Sequence, residues 1–226
     1  MSKIVIWQFY FCQDVKQSIM QVSIFSNVFS GMPQETSLDA IVSVVKSSGK
    51  LYELTSKIRA YLQCDLKDKA DKIKKGSIPA FMPAAQVMGG KGHNNIVALT
   101  GLCFIDIDKI SQDEIAKLRV LASEDDHVVM VKQSVSGNGI HIFVCYTVQN
   151  SRLMAMCGLA PREMKNKYIK ISKAIHHYYR GKFKLKLDKS ATNPCQLCII
   201  SADPDAYYNP QAKPLIYDED TKTLIL

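Results

Sequence analysis

Two carboxylates lie close together in an apolar stretch, and a glycine-rich turn ending in a histidine follows them. FIDID (104–108) contains Asp106 and Asp108, and SGNGIH (136–141) ends in His141. Side chains two residues apart on a strand point to the same face, so the carboxylates are expected to be neighbours. Such a pair in an apolar strand is costly unless a cation compensates it. Mg²⁺ or Mn²⁺, completed by substrate phosphates, is the expected ion, although a loop cap and a lysine pair would also satisfy the acids.

A third acid and the turn itself extend this hypothesis. Asp188 in KLKLDKS is an isolated acid in a basic run, and it is either a salt-bridge partner or a third metal ligand. Two-metal phosphoryl transfer uses several carboxylates to hold paired ions. The backbone of SVSGNG (134–139) can supply N–H donors to phosphates, with His141 adding one more. The alternative is an ordinary tight hairpin.

The surrounding pattern predicts the elements that position these residues. A helix with a Ser111–Glu114 capping box follows the DxD strand, and a longer helix begins at Pro161 and ends before Gly181. The predicted strands are 102–108, 127–132, 140–148 and a fourth near 185–187 or 197–201. The order β-α-β-β-α-β is that of a ferredoxin-like (RRM-like) sheet, in which the first strand is central and His141 faces the DxD end.

The preceding hundred residues predict a separate α+β part. Strands are expected over 5–11 and 22–29, and helices over 38–46, capped by Ser37, and 51–62; the basic segment 67–79 has no assigned element. The chain is therefore predicted to be α+β. Residues 1–100 form the N-terminal part of the core and 101–226 the ferredoxin-like catalytic part, within one compact domain.

The charge is concentrated in one segment. The chain carries a net charge of +8, and residues 162–189 hold ten Lys or Arg against two acids, with aromatic residues interleaved. A basic, aromatic segment suits a nucleic-acid backbone, although a solvated helix face gives the same pattern. Seven cysteines, an odd number, favour reduced thiols and a cytoplasmic location. The absence of a long apolar run or a secretory signal argues against a membrane partner.

The pair Cys195 and Cys198 also invites a zinc interpretation. No second cysteine or histidine pair stands at zinc-finger spacing, so packing is the favoured role.

Three motifs in order, FIDID, SGNGIH and KLD (186–188), resemble those of the archaeo-eukaryotic primase superfamily, the primase–polymerases. More closely, the chain is similar to the VirE N-terminal type of domain found in bacterial mobile elements. The stretches that carry this resemblance are SIPAFMPAA, LTGLCFIDIDKI, VKQSVSGNGIHIFV and LCIISADPDAYYNP. They extend over about residues 20–215, which is most of the chain.

The resemblance implies template-directed nucleotidyl transfer, for primer or DNA synthesis in replication of a mobile element. Asp106, Asp108 and Asp188 would hold Mg²⁺ or Mn²⁺, and His141 would join them in catalysis. The phosphates of nucleoside triphosphate substrates would be contacted by Ser136, Gly137, Gly139 and His141, with Lys132 assisting. The basic residues of 162–189, or those around Lys74, would follow a single-stranded DNA template. A superfamily-three-type helicase domain or protein is the implied partner.

One departure from the family pattern keeps other functions open. An arginine often precedes the L-C-x-x-S stretch in this family, and Gln196 stands there in this chain. A catalytically weak or inactive nucleic-acid-binding module is therefore the first alternative. A palm-fold nucleotide cyclase is the second, but it leaves the SGNGIH turn and the basic segment without a role.

Overall fold

The structure, a computed structural model, describes residues 20–149, 159–184 and 192–225. It is a mixed α+β protein. The helices are α1 (Leu38–Ser47), α2 (Gly49–Gln63), α3 (Lys67–Gly76), α4 (Gln112–Ser123) and α5 (Pro161–Phe183). The strands are β1 (Gln21–Phe25), β2 (Gln34–Ser37), β3 (Ala80–Met82), β4 (Ala85–Val87), β5 (Ile96–Leu99), β6 (Leu102–Asp108), β7 (Val128–Gln133), β8 (Gly139–Gln149), β9 (Cys198–Ile199), β10 (Tyr207–Tyr208), β11 (Leu215–Asp218) and β12 (Thr223–Ile225).

The larger sheet contains the predicted β-α-β-β-α unit, formed by β6, α4, β7, β8 and α5. Strand β8 is antiparallel to both β6 and β7, so these three strands lie in the order β6, β8, β7. The far end of β8 pairs in parallel with β11, which continues into β12. The capping box is confirmed, because Ser111 accepts from the Glu114 amide and Glu114 accepts from the Ser111 amide.

The second sheet belongs mainly to the N-terminal part, in the order β2, β1, β3, β9. Its last strand, Cys198–Ile199, is one of the two segments predicted to be the fourth strand of the larger sheet. It pairs with β3 instead, so that placement was wrong. The other candidate, 185–187, lies outside the described residues, and no described strand pairs with the free edge of β6.

Most other predicted elements are confirmed with small changes of boundary. The predicted helices over 38–46 and 51–62 correspond to α1 and α2, and the Ser37 hydroxyl accepts from the Ala40 amide. The predicted strand over 22–29 corresponds to β1, which ends at Phe25. The predicted strand over 5–11 lies outside the described residues. Gly181 lies inside α5 rather than beyond it, because the helix continues to Phe183 and ends at Lys184 in the left-handed conformation. The basic segment 67–79 contributes a helix, α3.

Alternation along β6 divides the core into two layers. Cys103, Ile105 and Ile107 pack against α4 and α5, whereas Leu102 and Phe104 face the N-terminal helices and the second sheet. Asp106 and Asp108 continue the second of these rows, so they face the cleft between the two parts. The described part of the chain contains no helix long and apolar enough to cross a bilayer.

Candidate active site

The paired strands bring the DxD motif and the turn histidine together. Asp106 stands opposite His141 in the ladder, and Asp108 stands opposite Gly139. The His141 Nε2 and Asp106 Oδ1 atoms are 3.3 Å apart. The structure therefore brings together four predicted site residues at the end of β6. Asp188, the predicted third ligand, lies outside the described residues.

Behind His141 lies a lysine that is completely removed from solvent. The Lys132 ammonium donates to His141 Nδ1 (3.0 Å), to the Ser201 hydroxyl (2.9 Å) and to the Ile199 carbonyl (3.1 Å). In its ammonium form Lys132 has one N–H bond for each of these three partners. Because Lys132 occupies Nδ1, the ring proton of His141 belongs on Nε2, the nitrogen that faces Asp106.

The same contacts set the pKa values of the site. Burial, together with the charge of Lys132, lowers the pKa of His141, so the ring is neutral at pH 7. Burial would raise the pKa of Asp106, but the contact with His141 and the charges of Lys132 and Lys74 bring it below its ordinary value. Burial lowers the pKa of Lys132. Lys132 contacts His141, and His141 contacts Asp106, so a buried lysine, a neutral imidazole and a charged carboxylate are consecutive neighbours.

The contact between Asp106 and His141 is loose. Its Oδ1 is buried, and the 3.3 Å approach of His141 is not directed well enough to form a hydrogen bond. The charge of this buried carboxylate is compensated by Lys132 and Lys74. Within the described ranges, no group of three or more His, Cys, Asp or Glu side chains is arranged to hold a metal. The carboxylates that the ladder places at this end of β6 are Asp106 and Asp108.

The turn between β7 and β8 is held in a fixed shape. The Ser134 amide donates to the Gly139 carbonyl (2.9 Å), and Gly137 has a φ of +82°, a conformation that favours glycine. A Cβ on Gly139 would lie 2.7 Å from both Asp108 Oδ1 and the Ile107 carbonyl oxygen, so glycine is required there too. The amides of Ser136 and Asn138 donate no hydrogen bond within the described residues, so they remain available to an anion.

An arginine from the N-terminal part covers this turn, and sequence reasoning missed it. Arg59 on α2 donates from Nη2 to the Ser134 carbonyl (3.1 Å), and its guanidinium lies against Gly137. Its Nε is buried without a hydrogen-bond partner, and burial lowers its pKa. Lys74 on α3 is the second basic residue that the N-terminal part adds. Neither stands in a motif, and only the packing of α2 and α3 on the cleft brings them to it.

A second set of contacts, centred on Asp203, fixes the end of β7 before the turn. Asp203 accepts from the Gln133 amide (2.7 Å) and from Arg119 (2.9 Å). Cys198 lies with its sulfur 3.4 Å from His141 Nδ1, and burial raises the pKa of this thiol to about 11, so it is a neutral neighbour. Gln196, two residues earlier, is half-buried, and its amide donates to the Asn193 carbonyl (3.0 Å). The cysteine pair thus lies in β9 and the loop before it.

These features define an α+β protein in which adjacent carboxylates face a neutral histidine, a buried lysine and a glycine turn covered by an arginine. The chain belongs to the family described as the BT4734-like, N-terminal domain, whose pattern matches residues 73–208, more than half of the chain. This range includes the DxD strand, Lys132 and the turn, but not Arg59. Neither the curated proteins nor the solved structures include a significant match to the chain.

Proposed function

We propose that the chain is a nucleotidyltransferase of the primase–polymerase type, which extends a primer or synthesises one on a nucleic-acid template. The observation that carries the proposal is the ladder register at the end of β6, where Asp106 meets His141 and Asp108 meets Gly139. Phosphoryl transfer requires oxygen ligands for divalent metal beside donors for phosphate oxygens. This register places the carboxylates of β6 directly opposite the histidine and the glycine turn at the start of β8.

Asp106 and Asp108 would hold Mg²⁺ or Mn²⁺, with Asp188 as a third ligand. Bound there, the ions would polarise the phosphate being attacked and neutralise charge on the leaving oxygens. The buried Oδ1 of Asp106, which lacks a directed hydrogen bond, fits this role, as does its lowered pKa, which keeps it ionised. Lys132 would act indirectly: all its N–H bonds are used inside the protein, so it orients His141 and does not contact substrate.

The phosphates of the incoming nucleotide would lie over the turn. The free amides of Ser136 and Asn138 and the guanidinium of Arg59 supply donors on one side. His141 would supply its Nε2 proton on the other, because Lys132 holds the ring in that tautomer. The turn amides are already positioned, whereas the Arg59 guanidinium and the His141 Nε2 proton would exchange the Ser134 carbonyl and Asp106 for the phosphates.

The nucleic acid would enter along α3. This helix carries five lysines against two aspartates, and the charge of Lys74 reaches Asp106. Basic residues beside the site would attract the phosphate backbone of a single-stranded DNA template. A superfamily-three-type helicase, which would open the template, and a role in replication of a mobile element complete the proposal.

The direct test is synthesis on a labelled single-stranded template with nucleoside triphosphates and Mg²⁺ or Mn²⁺. We expect extension by the unmodified chain and at least a hundredfold loss in Asp106→Asn, because metal and phosphate positioning supply most of the rate in such reactions. Asp126→Asn is the matched control: it removes the same charge from an exposed acid that pairs with Lys213. Equal activity in Asp106→Asn and the unmodified chain would refute the proposal.

A nucleic-acid-binding module without synthesis is the second candidate. Gln196 favours it, because it stands two residues before Cys198, a neighbour of His141, at a position where the primase–polymerases often have arginine. This candidate predicts salt-dependent binding of single-stranded DNA with no triphosphate affinity. Titration of a fluorescent triphosphate analogue with Mn²⁺ separates the two: binding that Asp106→Asn abolishes supports the transferase.

A further inference from the structure

A cavity on the other side of the larger sheet has no role in the proposed reaction. It lies between α5 and the β11–β12 hairpin and has a volume of about 550 Å³. Helix α5 packs on the face of the sheet opposite to Asp106, so the cavity and the carboxylate cleft are separate. The residues that line it are Lys170, Lys173, Ala174, His177, Tyr178, Tyr217, Lys222, Thr223 and Leu224.

The cavity is positively charged. Lys170, Lys173 and Lys222 are exposed, and none of the three forms an ion pair within the described residues. None of the residues that line the cavity is acidic. Unpaired ammonium groups around one concave surface favour a ligand with more than one negative charge.

The acids of the neighbouring hairpin turn have partners elsewhere. Asp218 accepts hydrogen bonds from the amides of Asp220 and Thr221. Glu219 pairs with Lys167 at 2.9 Å. Asp218, Glu219 and Asp220 all lie in the hairpin turn, and within the described residues none of the three lines the cavity or forms an ion pair with its lysines.

The walls of the cavity are largely apolar and include an aromatic ring. Tyr178 is half-buried, and its ring is braced edge-on by Tyr179 at 5.0 Å between centroids. Ala174 and Leu224 complete the apolar wall. Tyr168, Tyr179 and Phe183 of the same segment are buried in the core, so the aromatic residues at the cavity are Tyr178 and Tyr217. The Lys182 ammonium lies over the Tyr178 ring, 5.8 Å from its centre, which adds a positive charge beside that ring.

The spacing along α5 matches an extended ligand. Lys170, Lys173 and His177 recur at intervals of three and four residues, which places them on one helix face. At 1.5 Å per residue they span roughly 10 Å. That length accommodates two or three successive phosphates of a nucleic-acid strand, whose spacing is at least about 3.4 Å.

We propose that this cavity binds single-stranded nucleic acid, with phosphates at Lys170, Lys173 and Lys222 and a base against Tyr178. Stacking on an aromatic ring within a basic groove is how single strands are held without sequence preference. The inference takes its ligand class from the proposed function, but its test needs neither a nucleoside triphosphate nor a metal. It would add a second contact for the strand, on the far side of the sheet from the site of synthesis.

The backbone at Lys222 offers a probe that does not threaten the fold. This residue has a φ of +60°, which lysine adopts at some cost and which asparagine tolerates better. Lys222→Asn removes the charge without straining the turn. We therefore expect an unchanged or higher melting temperature together with weaker binding.

The experiment measures the anisotropy of a fluorescent 12-nucleotide oligo-dT from low to high salt. Lys170→Gln/Lys173→Gln should lower affinity about 25-fold at 0.1 M salt and reduce the salt slope by about 1.4, the value for two phosphate contacts on a single strand. Lys222→Asn should lower affinity about fivefold by the same relation. Lys46→Gln/Arg162→Gln removes two exposed charges outside the cavity and should change affinity by less than about threefold, because salt screens distant charges.

Equal losses in the two double variants, or none in either, would overturn the proposal. Displacement of the oligonucleotide by thymidine monophosphate at equal phosphate concentration would also overturn it, because the site would then hold a mononucleotide. So would loss of binding to phosphatidylserine vesicles in the cavity variants with oligonucleotide binding retained. Asp106→Asn should bind oligo-dT normally, so failure of synthesis and failure of this inference are distinguishable.

Discussion

Gly139→Ala tests whether the contact between the turn and the DxD strand holds the site together. The added Cβ would lie 2.7 Å from Asp108 Oδ1 and 2.7 Å from the Ile107 carbonyl oxygen. The carboxylate can rotate away, but the carbonyl belongs to the backbone of β6 and cannot. β6 and β8 must therefore separate at the pair formed by Asp108 and Gly139.

The expected magnitude is a destabilisation of about 1–2 kcal/mol. Overpacking at a tight contact costs about 1–3 kcal/mol, and replacing a strand glycine with alanine returns roughly 0.5–1 kcal/mol. For a chain of this length, that net cost lowers the melting temperature by about 2–8 °C. Divalent-metal affinity should fall as well if Asp106 and Asp108 hold the ion.

Calorimetry and urea unfolding measure this change, and Gly181→Ala is the matched control. A Cβ on Gly181 would contact nothing within 4 Å, and the residue lies inside α5, so this variant should be more stable by about 0.5–1 kcal/mol. A Gly139→Ala protein as stable as the unmodified chain would refute the steric argument. So would equal shifts in the two variants.

Three further predictions concern the contacts around the site. The pKa of His141 is lowered in the folded chain, so the unfolded chain binds the proton more readily and the free energy of unfolding should fall as pH drops below about 6.5. Urea unfolding at pH 5 and pH 7 measures this fall, and it should be smaller in His141→Gln than in the unmodified chain. Asp203→Ala leaves Arg119 and the Gln133 amide without their acceptor and should lower the free energy of unfolding by about 2–3 kcal/mol in chemical unfolding. A stability equal to that of the unmodified chain would contradict the role of Asp203 in fixing β7. Arg59→Gln should weaken triphosphate binding at least about tenfold in a fluorescence titration with little change in fold, and unchanged affinity would exclude Arg59 from the phosphate site.

Local signals predicted the elements that carry the chemistry. The run of apolar residues before Asp106 and the capping box at Ser111 are sufficient to place β6 and α4, because strand alternation and helix caps depend on neighbouring residues alone. The pairing of Asp106 with His141 followed from the topology of a split β-α-β sheet. The position of β9 could not be predicted in this way. Two residues carry too little pattern to specify a partner strand, so β9 pairs with the sheet edge that the tertiary structure places beside it.

The sequence by itself determined the α+β class, the adjacent carboxylates and the glycine turn, because each follows from residue spacing within a single element or hairpin. The tertiary structure alone decided what surrounds them. Arg59 reaches the turn from 75 residues away, and Lys132 meets Ser201 across 69 residues. Contacts of that kind arise when α2 and the loop after β9 pack against the larger sheet, which no local pattern encodes. The histidine tautomer and the lowered pKa of Asp106 depend on those contacts, so they too belong to the folded chain.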